Sequence, residues 1–226
     1  MPQDDYLTAL AEYYNGSRLP SKPGAAAGFP EAVQSPDHWA HQIAADLTIA
    51  LAEKRVLEVA CGNGRWTQIA ARAAKHITAT DIAQNLLDNA MGLPIPPGKV
   101  DFIRCDAFDI ATIAGPFWAG LHMNFINHLP LDTVPRFLDA FHSALGQDAT
   151  VICGSQKFRG SANEPVYERP GTSDICSMRH NDAGDEIEVI DTLFTEDLLR
   201  GLLAGRAADL QFSSNPHWWW AKYAVR

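Results

Sequence analysis

Three acidic residues stand in or directly after short apolar runs of the chain. Glu58 lies inside the first of these runs, and Asp81 and Asp106 follow the next two. A carboxylate at the end of a strand can accept hydrogen bonds from both hydroxyls of a ribose, and one after the next strand can accept them from an exocyclic amine. The carboxylate of Glu58 suits a cationic ligand better than a pyrophosphate. The three acids are therefore suited to a ligand that offers hydroxyls, an amine or a positive charge.

A glycine turn, Gly62-Asn63-Gly64, follows the first apolar run. Glycine lets the backbone turn sharply beside a ligand because it lacks a Cβ atom. The next predicted helix starts at this turn, so its free N–H groups face the same space. In sheets built from strand–helix units, ligands bind at the carboxyl ends of the strands. The turn therefore predicts a binding site at the carboxyl end of the first strand.

A glycine turn is also typical of dinucleotide-binding folds, and an NAD(P)-dependent oxidoreductase is the alternative that the residues leave open. Two features weigh against this alternative. The third glycine of the G-x-G-x-x-G pattern is missing, because Thr67 stands in its place. Glu58 also brings a negative charge close to the place where a pyrophosphate would bind.

Strands and helices alternate from residue 55 onward. Short apolar runs predict five strands, and several of the segments between them have helical spacing. Such alternation implies a mostly parallel sheet with helices on both faces, so the predicted fold class is α/β. The predicted strands cover residues 55–60, 76–80, 99–105, 117–123 and 149–154, and the helices cover residues 66–75, 82–91 and 131–145.

The first 50 residues have a different pattern. Residues 5–14 and 37–51 have the apolar spacing of helices. The segment between them, residues 15–36, is rich in Pro, Gly, Ala and Ser and predicts a loop.

The last 70 residues interrupt the strand–helix alternation. Apolar runs predict strands on both sides of a turn at residues 181–184, and two more that form a closing antiparallel hairpin. A helix is expected between the two pairs, with Thr195 as its N-cap. The predicted strands cover residues 173–179, 186–192, 207–213 and 217–225, and the helix covers residues 195–203.

The acids and the glycine turn resemble known motifs. Val-Leu-Glu-Val-Ala-Cys-Gly-Asn-Gly, residues 56–64, resembles the first motif of class I S-adenosylmethionine-dependent methyltransferases. Ala-Thr-Asp-Ile, residues 79–82, resembles their second motif, which holds the ribose-binding acid. Cys-Asp-Ala-Phe, residues 105–108, resembles the motif on the adenine side. The resemblance is strong over residues 55–154.

The next part of the chain resembles the family less closely. Residues 117–130 are similar to the fourth-strand segment, but Trp118 or Asn124 replaces the acidic residue often found there. The family implies a Rossmann-like, doubly wound sheet of seven strands, mostly parallel with an antiparallel last strand. An N-terminal helical lid and a small β insertion after the fifth strand would complete this fold.

The resemblance also implies a set of cofactor contacts for S-adenosylmethionine and its product S-adenosylhomocysteine. Glu58 would orient the glycine loop and the ligand's amino group, and Asp81 would hold the ribose. Ile82 and Phe108 would sandwich the adenine, and Asp106 would accept its amine. A simpler role is open for Glu58, as a partner of the glycine loop, and for Asp106, as a helix cap. The full set is Glu58, Ala60, Gly62, Asn63, Gly64, Asp81, Ile82, Asp106, Ala107, Phe108 and Met123.

Methyl transfer from a sulfonium is an in-line displacement, which needs a positioned acceptor and, for some acceptors, a base. His128 is the candidate catalytic base, because imidazole titrates near neutral pH and the residue follows the fourth strand. A capping or loop histidine is the alternative. His122, inside the predicted strand, is expected to be packed instead. Asn124 is a candidate for orienting the acceptor.

Three aromatic residues are further candidates for contact with the acceptor. Tyr13 and Tyr14 lie on the first predicted helix, which either covers the cofactor or simply packs. Trp218 begins a run of three tryptophans, whose side chains alternate between the two faces of a strand. An apolar closing strand is the simpler explanation for that run.

The composition of the chain disfavours some classes of binding partner. The formal net charge is −9, which disfavours nucleic acid, because phosphate backbones would be repelled. The four cysteines form no CxxC pair and predict no metal site. We expect no signal peptide and no membrane span, and therefore a cytoplasmic protein that is a monomer or a homodimer.

The residues and the resemblance together predict one methyltransferase domain over residues 1–226. Its expected parts are a helical cap (1–50), a cofactor-binding core (55–154), a substrate-side insertion (155–192), and a closing helix and hairpin (193–226). The expected reaction is methylation of an oxygen or nitrogen of a small metabolite. A non-catalytic relative that keeps the cofactor pocket is the other open alternative.

Overall fold

The computed structural model describes residues 3–16, 28–157, 165–180, 184 and 186–226. The predicted turn at residues 181–184 and the predicted loop at 15–36 therefore lie partly outside the described residues. The helices are α1 (Gln3–Gly16), α2 (Phe29–Ala32), α3 (His41–Leu51), α4 (Arg65–Ala71), α5 (Gln84–Met91), α6 (Val134–Ser143) and α7 (Glu196–Leu203). The strands are β1 (Arg55–Val59), β2 (His76–Asp81), β3 (Val100–Arg104), β4 (Ala119–Met123), β5 (Thr150–Gln156), β6 (Val166–Glu168), β7 (Ile175–His180), β8 (Glu186–Ile190), β9 (Ala207–Ser214) and β10 (Trp218–Val225).

Within the described residues, seven strands form the main sheet in the order β3-β2-β1-β4-β5-β10-β9. Strands β1 to β5 are parallel, and the last strand, β10, is antiparallel to both of its neighbours. This confirms the predicted fold class. The chain leaves β1 toward β2 on one side and returns to β4 on the other. Ligands in such folds bind at this switch point, outside the carboxyl ends of the strands.

Apolar side chains cover both faces of the sheet, as the continuous apolar runs require. The tryptophans of β10 alternate as expected, since Trp218 and Trp220 join one cluster and Trp219 joins the other. Trp218 stacks on Trp39 with ring centroids 5.0 Å apart. The closing strand is therefore an apolar core strand.

Some element boundaries differ from the predictions for local reasons. Helix α3 begins at His41 rather than at residue 37, because the preceding residues form turns. Helix α6 begins at Val134 rather than at residue 131, with a proline in its first turn. The Thr195 hydroxyl accepts a hydrogen bond from the Leu198 N–H at 3.2 Å, as an N-cap does. Elements α2 and β6 are too short to leave a periodic pattern in the sequence.

A second, antiparallel sheet of three described strands, in the order β6-β7-β8, follows β5 in the chain. Helix α1 packs on it through Tyr6 and Leu10, which contact Cys176, Val189 and Ile190. No helix in the described part of the chain is long and apolar enough to cross a membrane.

Candidate active site

A cavity of about 390 Å³ opens at the carboxyl ends of the parallel strands. The turn after β1 and the residues after β2 and β3 line one end, which we call the nucleoside end. The segment after β4, the small sheet and helix α1 line the other, which we call the acceptor end. The predicted residues in the cavity wall are Tyr14, Ala60, Gly62, Asn63, Asp81, Ile82, Asp106, Ala107, Phe108, Met123, Asn124 and His128.

Strained backbone marks the two strands at the switch point. Ala60, directly after β1, has φ 54°, and Asn124, directly after β4, has φ 55°. Residues other than glycine rarely adopt this left-handed backbone conformation. Strained residues of this kind cluster at active sites and binding sites. The Asn124 side chain accepts a hydrogen bond from the Gln156 N–H at 2.9 Å, so it ties the end of β4 to the end of β5.

The two glycines of the turn have positive φ angles, 56° at Gly62 and 76° at Gly64. A Cβ atom at Gly62 would meet nothing within 4 Å. A Cβ atom at Gly64 would lie 2.8 Å from Leu93 Cδ1 and 3.0 Å from Ala90 Cβ. Gly64 does not line the cavity, so its role is close packing against helix α5 and the residues after it, rather than the predicted ligand contact.

Asp81 connects the glycine turn to the second strand. Its Oδ2 accepts a hydrogen bond from the Gly62 N–H at 2.8 Å, and its Oδ1 accepts one from the Ala83 N–H at 2.9 Å. Burial raises the pKa of this carboxyl, although the backbone donors oppose the shift. Each carboxylate oxygen has a second lone pair, so both can also accept from ligand hydroxyls.

Glu58 is buried and does not line the cavity, contrary to the direct ligand contact that we expected. Burial raises its pKa to about 8, and the negative charge of Asp81 adds to the shift. Its Oε2 atom has no hydrogen-bond partner among the described residues. An unpaired buried acid of this kind would be stabilised by a cation.

Asp106 caps the short 3₁₀ helix Ala107–Thr112, because its Oδ1 accepts a hydrogen bond from the Phe108 N–H at 2.8 Å. The side chain is nevertheless exposed at the cavity, so the capping role leaves its other oxygen accessible to a ligand. The Arg136 guanidinium lies 4.5 Å from the centroid of the Phe108 ring. Arg136 thus covers one face of this ring, and a stacked base would use the other.

His128 ends the 3₁₀ turn Ile126–His128 and lies buried at the acceptor end. Its Nδ1 is 2.7 Å from the carbonyl oxygen of Ile190, which can only accept. Nδ1 therefore carries the hydrogen of the neutral ring, and Nε2 keeps its lone pair. The Asn127 Nδ2 lies 3.4 Å from Nδ1 and 3.2 Å from Nε2, a nearly equal separation that places it over the ring face.

Two charged residues of the small sheet reach the same place. The Asp191 carboxylate has its Oδ1 3.4 Å from His128 Nδ1. Its Oδ2 accepts hydrogen bonds from Arg179 Nη2 at 2.5 Å and from the Ser177 hydroxyl at 2.8 Å. Both Arg179 and Asp191 line the cavity. The acceptor end thus combines a neutral imidazole with a buried ion pair.

Of the three aromatic candidates for contact with the acceptor, one lines the cavity and two do not. Tyr14 lines the cavity, with its ring centroid 6.2 Å from that of His128. Tyr13 packs edge-on against Tyr14 but does not line the cavity. Trp218 does not reach the cavity either, because its ring is buried against Trp39 and Trp66. Its predicted contact with the acceptor is therefore wrong.

Comparison with known proteins adds independent support. A family model described as "Methyltransferase domain" matches residues 56–148. The ubiquinone biosynthesis O-methyltransferase of Xylella fastidiosa (strain 9a5c) is 32% identical over 107 residues, which are 45% of this chain and 43% of that protein. The chain thus matches less than half the length of this curated relative.

Residues 56–148 thus match a methyltransferase domain, and the fold of the chain resembles that of class I S-adenosylmethionine-dependent methyltransferases.

Solved structures of methyltransferases share the fold at low sequence identity. The DhpI-SAH complex is 20% identical, with a TM-score of 0.63, over 99% of this chain and 95% of DhpI. The 1,6-didemethyltoxoflavin-N1-methyltransferase of Burkholderia thailandensis is 18% identical, with a TM-score of 0.59, over 100% of this chain and 91% of that one. Such identities support the fold alone. The match to a methyltransferase domain also favours that interpretation of the glycine turn over a dinucleotide-dependent oxidoreductase.

The residues at the nucleoside end of the cavity fit S-adenosylmethionine. Open space lies beside Gly62, Asp81 has spare lone pairs, and Asp106 is exposed at the cavity. The unpaired Glu58 oxygen also fits a cationic ligand nearby. Among the described residues, no group of three or more His, Cys, Asp or Glu side chains is placed to hold a metal ion.

Sequence reasoning missed the ion pair at the acceptor end of the cavity. Arg179 was one of several scattered arginines in the sequence, and Asp191 was placed inside a predicted strand. The only signal for Asp191 was its position directly after the apolar pair Val189-Ile190. Asn127, like Asn124, could be read from the sequence as a residue that orients the acceptor, but not as a neighbour of the His128 ring.

Proposed function

We propose that this methyltransferase transfers a methyl group from S-adenosylmethionine to an oxygen or nitrogen of a small-molecule acceptor. The observation that carries the proposal is one cavity with ribose-type and amine-type acids at its nucleoside end and a neutral imidazole at its acceptor end. The two named relatives, an O-methyltransferase and an N1-methyltransferase, make both acceptor atoms plausible.

The residues of the acceptor end have distinct chemical tasks. S-adenosylmethionine supplies a methyl group that is already activated for displacement. The His128 Nε2 lone pair takes the proton of the acceptor, since Nδ1 is held by the Ile190 carbonyl. The apolar side chains of Leu7, Leu10 and Leu129 line the cavity and exclude water from the reacting atoms.

The parts of the chain divide the work in the proposed scheme. The described helices of residues 1–50 form a cap, of which Tyr14 reaches the cavity, and residues 55–154 hold the cofactor. Residues 155–192 contribute Arg179 and Asp191 on the acceptor side, and residues 193–226 close the sheet. The net charge of −9 favours a small-molecule acceptor over nucleic acid.

Calorimetric titration tests the cofactor half of the proposal. S-adenosylmethionine and S-adenosylhomocysteine should bind and NAD should not. Asp81→Ala should abolish binding, because it removes the ribose acceptor and the bond to Gly62. The matched control is Asp88→Ala, which removes the same charge from the exposed side of α5. Binding of NAD alone, or equal loss in both variants, would overturn the assignment.

A methyl-transfer screen tests the catalytic half. Purified protein is incubated with S-adenosylmethionine and a panel of hydroxyl- and amine-bearing metabolites, and methylated products are detected by mass spectrometry. His128→Gln should slow transfer by about 100-fold or more, as expected for loss of a general base, with unchanged cofactor affinity. An unchanged rate in this variant would remove His128 as the base. Cofactor binding without transfer to any acceptor would favour a non-catalytic relative.

A further inference from the structure

We propose that Asp191 is a positioning residue for His128, supporting the tautomer that the Ile190 carbonyl selects and stabilising the protonated imidazole, with Arg179 limiting that effect. This inference rests on the proposed function, in which His128 is the base. It assigns a chemical role to the Arg179–Asp191 ion pair, which lies outside the sequence motifs at the nucleoside end.

The position of Asp191 is fixed from several directions. The residue is buried, and its N–H donates to the carbonyl oxygen of Ile175 at 2.7 Å. Its Oδ2 is occupied by Ser177 and Arg179, which leaves Oδ1 facing His128 Nδ1 at 3.4 Å. The carbonyl of the neighbouring Ile190 holds the same nitrogen at 2.7 Å. The Nδ1–H group therefore points between two acceptors at the end of β8, the Ile190 carbonyl and the Asp191 carboxylate. Rotation of the ring would remove both interactions.

The histidine is fixed from its backbone as well. The Tyr6 hydroxyl donates to the carbonyl oxygen of His128 and accepts from the Ile190 N–H, each at 3.0 Å. One side chain of α1 thereby links the turn that carries the base to the strand that leads into Asp191. The relative position of imidazole and carboxylate is thus set by three separate elements.

Proton transfer gives the carboxylate its chemical task. The O–H or N–H bond of the acceptor breaks, the proton bonds to Nε2, and the electron pair left on the acceptor atom forms the bond to the methyl carbon. The imidazole gains one positive charge in this step. A negative charge next to Nδ1–H stabilises that product of the transfer, and in a buried site the effect is large.

Four ionisable groups face His128 from the elements packed against it. Asp191 and Arg179 come from the small sheet, and Tyr6 and Tyr14 come from α1. Burial lowers the pKa of His128, Asp191 and the Ile190 carbonyl raise it, and Arg179 lowers it. The anion and the cation of the pair therefore act on the imidazole in opposite directions.

Because Asp191 and Arg179 shift the pKa of His128 in opposite directions, replacing each of them in turn tests the inference. The full chain, labelled with ¹⁵N in its histidine rings and saturated with S-adenosylhomocysteine, is titrated with acid and base by NMR. His128 is assigned from its missing signals in His128→Gln. We expect the Nδ1–H tautomer in the neutral protein. Asp191→Asn should lower the His128 midpoint and Arg179→Gln should raise it, each by about one pH unit, a tenfold change in proton affinity.

Two further variants complete the design. Ser177→Ala removes a hydrogen bond to the same Oδ2 but no charge, so its midpoint should stay close to that of the wild type. The double variant Asp191→Asn/Arg179→Gln should return toward the wild-type value. If Asp191→Asn alone does not fold, the double variant is compared with Arg179→Gln instead: a lower midpoint in the double variant shows the effect of Asp191, and equal midpoints overturn the inference.

A purely structural role would give a different pattern. Loss of packing would move the midpoint in the same direction in both single variants, and no link would leave it unchanged; either result overturns the inference. Neither depends on turnover, so they are distinct from failure of the proposed function. That failure would appear as absent binding of S-adenosylhomocysteine or as undiminished transfer by His128→Gln.

Discussion

Gly62 and Gly64 belong to one turn but have different neighbours, so the two residues limit substitution for different reasons. Both have left-handed backbone conformations, which cost an L side chain about 1–2 kcal/mol. Only at Gly64 would a Cβ atom also collide, with Leu93 and Ala90. At Gly62 the same atom would enter open space beside the cavity.

Gly64→Ala should therefore destabilise the protein more than Gly62→Ala, by about 1–3 kcal/mol of overpacking beyond the shared backbone cost. Gly62→Ala should instead weaken binding of S-adenosylhomocysteine, because the new methyl group occupies space beside the ligand. Thermal unfolding and calorimetric titration of both variants separate these effects. Equal melting temperatures for the two variants would contradict the packing role of Gly64.

The residues of the nucleoside end could be predicted from sequence because each lies within a few positions of a strand end. Asp81 ends β2, and Asp106 follows the end of β3 by two residues, so the local sequence alone places both at the edge of the sheet. Asp191 could not be predicted, because it meets His128 only through a contact that spans more than 60 positions. The sequence left Trp218 open as a pocket candidate beside the simpler core interpretation for a related reason. Its partners, Trp39 and Trp66, come from the N-terminal segment and from α4.

At the scale of elements, α1 does more than cover the cavity. Tyr6 is buried under the Arg169 guanidinium, 4.9 Å from the ring centroid, and its hydroxyl joins two backbone groups that are far apart in the chain. The Asn85 side chain donates to the carbonyl oxygen of Tyr14 at 3.2 Å and fixes the other end of the helix. Docking of α1 therefore orders the base-bearing turn and the small sheet together.

Tyr6→Phe should loosen this arrangement without removing apolar packing. The His128 carbonyl and the Ile190 N–H would each lose their partner, at a cost of about 1–3 kcal/mol. We expect faster amide hydrogen exchange in α1 and β8, measured by mass spectrometry, and a lower melting temperature. Tyr223→Phe is the control, since it removes a hydroxyl bonded to His142 at 3.0 Å, away from α1. Equal exchange in α1 for both variants would show that Tyr6 is not the link.

The alternation of long elements was readable from the sequence, because an apolar period persists over many residues. The three-residue strand β6 was not, and neither was the four-residue helix α2. Both form because the tertiary structure supplies their partners: β6 pairs with β7, and α2 places the buried Phe29 edge-on against Trp66.

For the whole molecule, two buried groups make stability depend on pH in opposite directions. Burial lowers the pKa of His122 to about 3 and raises that of Glu58 to about 8. Below about pH 6.5, His122 becomes protonated in the unfolded chain but stays neutral in the folded chain. The free energy of unfolding therefore falls as pH falls. Between about pH 4.5 and pH 8 the folded chain keeps a proton on Glu58 that the unfolded chain loses, so stability falls as pH rises.

His122→Leu should remove the acid-side loss and leave the alkaline-side loss in place. The imidazole has no hydrogen-bond partner among the described residues and sits edge-on to Phe137 and Phe141, so leucine fits its surroundings. Relative to the wild type, the variant should gain up to about 1.4 kcal/mol for each pH unit below about 6.5. His142, whose pKa burial lowers to about 4, still contributes to acid sensitivity in the variant.

Urea unfolding of the ligand-free protein at several pH values measures this difference directly. The same substitution at the exposed His217 is the matched control and should leave the pH profile unchanged. Stability curves of the wild type and His122→Leu that run parallel from neutral to acid pH would show that His122 accepts its proton without penalty. Curves that diverge on the acid side would assign the acid-side loss to the His122 imidazole, and a fall of both curves between about pH 6.5 and pH 8 is the change expected from the Glu58 carboxyl.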